Sequence, residues 1–451
     1  MSHKHHFSDY TQSDIRKAEQ IFAEQRKSIE PLPAIKDDCI ISILVPVYNE
    51  SLSRIKKQIR SFNSQTLEKD LYELVFIVNN PPIKKTDRSA LKQNSLVIKY
   101  LSNISHKNIH VIDRSSKGRE LTFGNIGEAR NIGLLSISKR YFDQKRDGII
   151  IHTDADTFPK DDQYLAKVKR AFDIPKVYGA AGGIRFVLSL DNNTKKNRGF
   201  FEAHLSVFHK YVRWNFLLSA LETDVSRLKF EPTTFSGAHM ISRAIASICV
   251  GGIKQVNRTE DYLFGVSLLE FAKKHHGKIL SMRDKWIMIT SLRESTRSGT
   301  SFGPIFNNIK ETNGKPLVRD TATPFFPVFA KRLLIKMAKL PNNQQMITAN
   351  HFFDISLKIS KEELLAIKKL ISQLKKIEDT NKYYVIYEEI RAKDTHTILH
   401  KFFNRLYKLM YPKIQLNDNA LADLQKKVFA HPKRKAYALN AIKYYGTYYL
   451  D

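Results

Sequence analysis

The chain has few cysteines, few acids and no long apolar run, and each shortage excludes something. Cys39 and Cys249 are the only cysteines among 451 residues. They are too few for a disulfide framework and lack the CxxC spacing of a zinc site, which fits a reducing compartment. No apolar stretch approaches the roughly 18 residues of a membrane-spanning helix. The amino terminus, MSHKHHFSDYTQSD, lacks the apolar core of a signal peptide. His3, His5 and His6 read there as part of a polar end rather than a chelate. No GxGxxG and no Walker loop is present, so dinucleotide-binding and NTPase readings lose support. Acids number 45 against 74 Lys and Arg, giving a net charge of +29 and a pI near 9.8. Such a field attracts nucleotides, anionic lipid or nucleic acid without choosing among them. Residues 304–451 hold 26 Lys and Arg against 13 Asp and Glu, so the tail is the more basic part.

What is present suffices for a packed protein. A hydrophobic fraction of 42% and an aromatic fraction of 11% exclude disorder over most of the length. The length exceeds one ordinary core. Three regions are expected: an amino-terminal helical extension (1–38), an α/β domain (39–303) and a basic helical region (304–451). Within the first, residues 10–30 read as a polar helix that EPLPAIKDD (30–38) breaks with two prolines.

Continuous apolar runs then alternate with helical patterns. CIISILVPVYNE (39–50), YELVFIVNN (72–80), NIHVIDRS (108–115) and GIIIHTDAD (148–156) are strands, with helices at 53–64 and from Gly127 or Glu128 onward. This alternation implies a mostly parallel sheet flanked by helices, with ligands outside the carboxyl ends of its strands. Asn49, Asn79, Asp113 and Asp154 fall on that edge. A helix over 160–173, extended chain over 177–190, a helical aromatic stretch with packed Trp214 (195–230), a strand-turn-helix (233–253) and a loop feeding a helix (257–276) follow. Further on, Ser360 with Glu363 forms a capping box before an amphipathic helix. Helices are also expected near 385–393, 396–411 and 420–445. The 396–413 stretch interleaves aromatics and leucines with Lys and Arg. That pattern suits either a membrane-surface helix or a helix packed on the main domain.

Four constellations carry possible chemistry. Asp154 and Asp156, two carboxylates at a strand end, suit Mg²⁺ or Mn²⁺ that also takes phosphate oxygens; a solvated turn is the bland alternative. Thr259-Glu260-Asp261 precedes a helix and reads either as a cap or as a carboxylate able to take a proton from a hydroxyl. Arg293 and Arg297, in SLRESTRSGTSFG, could clamp a diphosphate or belong to a basic surface loop. GEARNIG offers glycines and a helix start that can face an anion.

The order of VPVYNE, ARNIG, TDAD, FSGAHMISR and TED over residues 40–300 resembles the family 2 glycosyltransferases of GT-A fold. The resemblance implies transfer of a sugar from a UDP- or GDP-sugar to an acceptor hydroxyl, with inversion and a divalent metal (Mn²⁺ or Mg²⁺). It implies that Pro46, Val47, Tyr48 and Glu50 line the nucleotide pocket, flanked by Ala129, Arg130, Asn131 and Gly133. Asp154 would contact ribose or metal, Asp156 the metal–diphosphate, and Gly237 and Ala238 one of the sugars. Asp261 would be the base, with Glu260 beside it. The chain departs from the family at Asn79-Asn80, where an acid usually reads the base; Asp113 is a substitute.

No QxxRW motif and no membrane span are present, so a processive synthase is not expected. The acceptor that the resemblance implies would be a glycan, a lipid-linked molecule or a protein. The expected location is cytoplasmic, with contact to an anionic membrane allowed and no nucleic-acid partner. Rival readings are a sugar-phosphate nucleotidyltransferase, disfavoured because VPVYNESLSR lacks a glycine-rich phosphate loop, and a non-catalytic basic module of the same fold.

Overall fold

The computed structural model describes residues 9–104, 108–188, 235–256, 260–292, 360–374, 418–445 and 448–450, with scattered positions over 202–228 and at 398, 401 and 402. The chain divides into two compact units. One comprises Met1–Val187, Pro232–Ser291 and Thr447–Asp451; the other comprises Leu188–Glu231 and Leu292–Gly446.

The first unit is built on a mixed sheet. Strands β1 (Ile41–Val47), β2 (Tyr72–Asn79), β3 (Ile109–Arg114) and β4 (Ile149–Thr153) are parallel, in spatial order β3-β2-β1-β4. Every residue of β1, β2 and β4 is buried, as their unbroken apolar runs require when helices cover both faces. Each wholly buried Ile or Val contributes about 1.5–3 kcal/mol, and these strands supply much of the core. The connecting helices are α2 (Leu52–Asn63), α3 (Arg88–Ser102) and α4 (Ile126–Asp143). Strand order reverses between β1 and β4, the switch point where such sheets open a crevice.

The other half of the sheet is antiparallel. After β5 (Thr157–Pro159), α5 (Tyr164–Phe172) and β6 (Val177–Leu188) comes β7 (His239–Arg243), which pairs antiparallel with both β4 and β6. Helices α6 (Ala244–Cys249) and α7 (Glu260–Lys274) lead to β8 (Lys278–Leu292), which pairs antiparallel with β5. Strand β9 (Tyr448–Leu450) returns from near the carboxyl terminus to pair parallel with β6. Helix α3 and strands β5, β8 and β9 are absent from the sequence reading. The expected loop at 291–303 lies largely outside the described residues, and its first two residues end β8.

The amino-terminal extension belongs to the first unit. Its helix α1 (Gln12–Glu24) is shorter than the 10–30 pattern and starts at a capping box between Thr11 and Asp14. The Tyr10 hydroxyl donates to buried Asp147 at 2.5 Å. Residues 30–38 form no helix or strand, so their carbonyls need other partners. Helix α4 and the residues after it supply them: Arg140 reaches the Pro33 carbonyl (3.1 Å), Gln144 that of Ile35 (2.8 Å) and Arg146 that of Lys36 (2.6 Å).

The second unit is helical where described. Helix α8 (Lys361–Leu374) carries the expected box: Ser360 N donates to Glu363 (2.9 Å) and Glu363 N to the Ser360 hydroxyl (3.1 Å). The single helix expected over 420–445 is two, α9 (Asp418–Phe429) and α10 (Pro432–Tyr445). Pro432 has no N–H to continue α9 but suits the first position of α10. Leu421, Leu424, Val428 and Ala438 of this hairpin pack with Leu217 and Ala220. No helix of the described residues is long and apolar enough to cross a membrane. The 385–393 and most of the 396–411 helices, and Trp214, lie outside the described residues.

Candidate functional site

The carboxyl ends of β1, β2 and β3 are tied by a buried amide network. Just past β1, Asn49 takes a left-handed conformation (φ 53°) and donates its N–H to Asn94 Oδ1 at 2.9 Å. The Asn94 amide in turn donates to the Asn79 carbonyl (3.0 Å) and the Ser115 hydroxyl (3.1 Å). Asn79 spends its own Nδ2 on the carbonyls of Val47 and Ile77, both at 3.1 Å, so only its Oδ1 is left for a ligand. The amide orientation follows from chemistry, because the reverse would set an oxygen against two carbonyls.

Pro46 and Val47 are buried strand residues, Tyr48 is partly exposed and Glu50 is buried, with Arg54 3.4 Å away. Asp113 sits beside Val78 on the neighbouring strand. It accepts the N–H groups of Ser115 and Ser116 at 2.9 Å each, a turn-closing role. Burial pushes its carboxyl up, but these donors outweigh it and hold the carboxyl below its usual range.

The GEARNIG stretch is mainly packing. Asn125 caps α4 by accepting from Glu128 N (2.8 Å). The Glu128 carboxylate collects the N–H groups of Thr122 (2.7 Å), Phe123 (2.7 Å) and Gly124 (2.9 Å), which orders the preceding loop. Ala129 is buried, and Asn131 is pinned between Gln25 (2.9 Å) and Ile253 N (2.9 Å). Gly133 faces Leu44 so closely that a Cβ would lie 2.3 Å from it. Of the residues assigned to the nucleotide here, Arg130 alone reaches the acids.

Those acids converge. Asp154 and Asp156 follow β4 with buried Ala155 between them, and Gln58 of α2 fixes their turn by donating to the carbonyls of Asp154 (2.8 Å) and Thr157 (2.9 Å). Asp156 Oδ1 lies 3.4 Å from the Thr290 hydroxyl, so β8 reaches this turn too. Glu260 and Asp261 open α7. The Arg130 guanidinium bridges the two groups, donating through Nη2 to Asp154 (2.7 Å) and through Nη1 to Glu260. Asp261 accepts the Gly237 N–H at 2.7 Å and its own neighbour's, Tyr262 N, at 2.8 Å.

Two carboxylates thus pair with one buried cation, and a third, Asp261, lies within its field. Burial and the adjacent Asp261 charge raise Glu260 to about 7 despite Arg130. Burial likewise raises Asp261, against the pull of Arg130 and the Gly237 N–H. Asp154 is the open member, its side chain 41% exposed.

Among the described residues no group of three or more His, Cys, Asp and Glu forms a cage for a metal. Two strand-end carboxylates still fit Mg²⁺ or Mn²⁺, which bind through one or two carboxylates plus substrate phosphate oxygens. Thr259, Arg293 and Arg297 lie outside the described residues. Sequence reasoning missed Gln58 and Asn94. Each is a polar residue on the apolar face of its helix, Gln58 among Ile55, Ile59 and Phe62, and Asn94 among Ala90, Val97 and Leu101. That misplacement is the signal that marks them.

No family model and no curated protein matches the chain. Among solved structures it is similar to a mannosyltransferase from Pyrobaculum calidifontis in complex with GDP-mannose and Mn²⁺, at 11% identity and a TM-score of 0.36, over 96% of this chain and 94% of that one. It is also similar to S. aureus TarS 1–349 in complex with UDP-GlcNAc, at 15% identity and TM-score 0.36 over 90% and 89% of the chains. A third is GalNAc-T7 with UDP, GalNAc and Mn²⁺, at 13% identity and TM-score 0.37 over 61% and 48%. Likeness at this level assigns neither family nor activity.

Proposed function

We propose that the chain is a metal-dependent, inverting glycosyltransferase of the GT-A, family 2 kind, taking a sugar from a UDP- or GDP-sugar. The observation that carries this reading is the meeting of Asp154, Arg130, Glu260 and Asp261 at the carboxyl edge of the sheet, with Asp156 on the same turn. These residues are up to about 130 positions apart in sequence, yet they stand at the switch point where such sheets bind ligands. The nucleotide would lie over the Val47–Glu50 turn, with Asn79 Oδ1 able to accept from a base N–H.

Asp154 and Asp156 would hold Mn²⁺ or Mg²⁺, whose contribution is to neutralise charge on the diphosphate as it leaves. Asp261 is the base. The acceptor hydroxyl oxygen forms the new bond to the anomeric carbon while its proton passes to the Asp261 carboxylate. The sugar–phosphate C–O bond breaks, and its electron pair departs with the nucleoside diphosphate. Attack from the face opposite the leaving group inverts the anomeric centre. A base works best with its pKa near the working pH, and burial, with the Asp154 charge adding to it, moves Asp261 that way.

Arg293 and Arg297 are proposed as diphosphate donors. The acceptor would be a glycan, a lipid-linked molecule or a protein, reached from the cytoplasm. Exposed Lys426, Lys427, Lys433, Lys435 and Lys443 on α9 and α10 suit contact with an anionic membrane surface.

The test is release of nucleoside diphosphate from UDP- and GDP-sugars with Mn²⁺. Wild type should turn over one of them, and Asp156→Ala should not. No release from any donor, together with an Asp156→Ala variant that binds nucleotide sugars as wild type does, overturns the proposal.

A further inference from the structure

Arg130 was expected beside the nucleotide, but its surroundings give it other work. The residue is 3% exposed, and its two terminal nitrogens are spent on carboxylates from different elements, Asp154 at the end of β4 and Glu260 at the start of α7. Burial works against its charge, and Asp154 and Glu260 more than restore it. A Cβ on Gly237 would lie 2.3 Å from each terminal guanidinium nitrogen and 2.5 Å from Cζ. The same glycine donates its N–H to Asp261 at 2.7 Å. The guanidinium therefore lies against a turn that also holds the proposed base.

We infer that Arg130 is a positioning residue: a buried cationic strut that fixes the spacing between the donor-side turn at Asp154 and the Glu260–Asp261 pair, seated on Gly237, which is glycine because the strut occupies its side-chain space. What the strut positions rests on the glycosyltransferase reading; the strut itself does not. Three features favour a strut over a ligand contact. Both ends of the fork are already engaged. The group is enclosed, whereas Asp154 is open. And the seat is backbone, which cannot swing aside to release it.

The strut also separates the roles of the two adjacent acids. Glu260 pairs with the cation, while among the described residues Asp261 takes its hydrogen bonds from the backbone N–H groups of Gly237 and Tyr262. A guanidinium can bridge two carboxylates in a plane, and an ammonium cannot do so with the same geometry.

The experiment uses the full chain with Arg130→Ala, Arg130→Lys and Gly237→Ala. It measures turnover and KM for the donor that wild type uses, thermal shift with that donor and Mn²⁺, and thermal unfolding without ligand. Misplacing a reacting group by about 1 Å costs about 100-fold in rate. Arg130→Ala should therefore lose about 100-fold in kcat with less than about threefold change in donor KM, and low-millimolar guanidinium should restore at least about tenfold of it. Arg130→Lys should stay impaired although it keeps the charge, and Gly237→Ala should resemble it.

Full activity in Arg130→Lys, or loss of the donor shift with kcat intact at saturation, overturns the strut in favour of a charge or ligand role. Should wild type turn over no nucleotide sugar, the functional reading fails and the strut is judged by unfolding alone. Arg130→Lys should then lower the melting temperature, and adding Glu260→Gln should recover part of the loss by removing the unpaired carboxylate. A further fall in the double variant overturns the inference.

Discussion

Two arginines ten residues apart on α4 stand at opposite ends of the sheet and make opposite kinds of cluster. At the amino end Arg140 grips Glu73 with both terminal nitrogens, one at 3.0 Å, while His110 lies 3.2 Å away and the Ser42 hydroxyl donates at 2.6 Å. One carboxylate there has several donors. Burial would raise it, but His110 and Arg140 prevail and hold Glu73 at about 2. At the carboxyl end Arg130 is divided between Asp154 and Glu260, with Asp261 close by, and Glu260 is pushed up to about 7. The chemistry of each pair is alike; the count of acids per cation differs. A fully paired carboxylate is structural, whereas an under-neutralised group in a crevice has a proton affinity suited to catalysis.

The contrast can be broken at either end. Asp261→Asn should cost most, about 10²–10⁴-fold in turnover with the nucleotide-sugar thermal shift kept; loss of both would make Asp261 a structural cap. Arg140→Met should destabilise by about 3–5 kcal/mol in urea titration, because it strands Glu73, yet leave kcat of the folded protein unchanged.

The pH dependence of stability follows from the same cluster. Glu73 has a folded pKa below its ordinary 4.5. Its stabilisation is therefore present above that value and is lost as pH falls towards about 2. The loss amounts to about 3 kcal/mol, and Glu73→Gln should flatten this limb.

At the other end, the Asp261 charge helps to raise Glu260 to about 7, and Asp261→Asn removes that charge. The Glu260 carboxyl, followed by NMR titration, should then lose its proton at lower pH than in wild type, as lost Coulomb repulsion requires. An unmoved titration would mean that the two acids are not coupled. The smallest effect is expected at Asn49. Asn49→Gly should be nearly neutral, and Asn49→Val should cost about 1–2 kcal/mol at a left-handed position.

Much of the first unit was legible. Buried parallel strands read as unbroken apolar runs, so Ile149–Ile151 announced β4 and placed Asp154 at its end. Residues 278–290, which alternate in burial only in part and carry Lys, Arg and Asp, gave no such run, and β8 went unread. Strands β6 and β7 were read as extended chain, but their antiparallel pairing was not, because pairing partners are set by topology rather than by any local pattern. At the site, the acids were visible as residue types at strand and helix ends. The links among them were not. Gln58, Asn94 and Gly237 act through hydrogen bonds and close approaches to residues 15 to 107 positions away.

The sequence by itself determined that the strands are buried, where they stop and which carboxylates lie beyond them, because solvation of side chains acts residue by residue. Tertiary structure alone decided that one guanidinium would serve two of three acids. The proton affinity of Glu260 and Asp261 depends on their burial and on the charges beside them, and that environment exists only once β4, α4, α7 and the Gly237 turn have packed together.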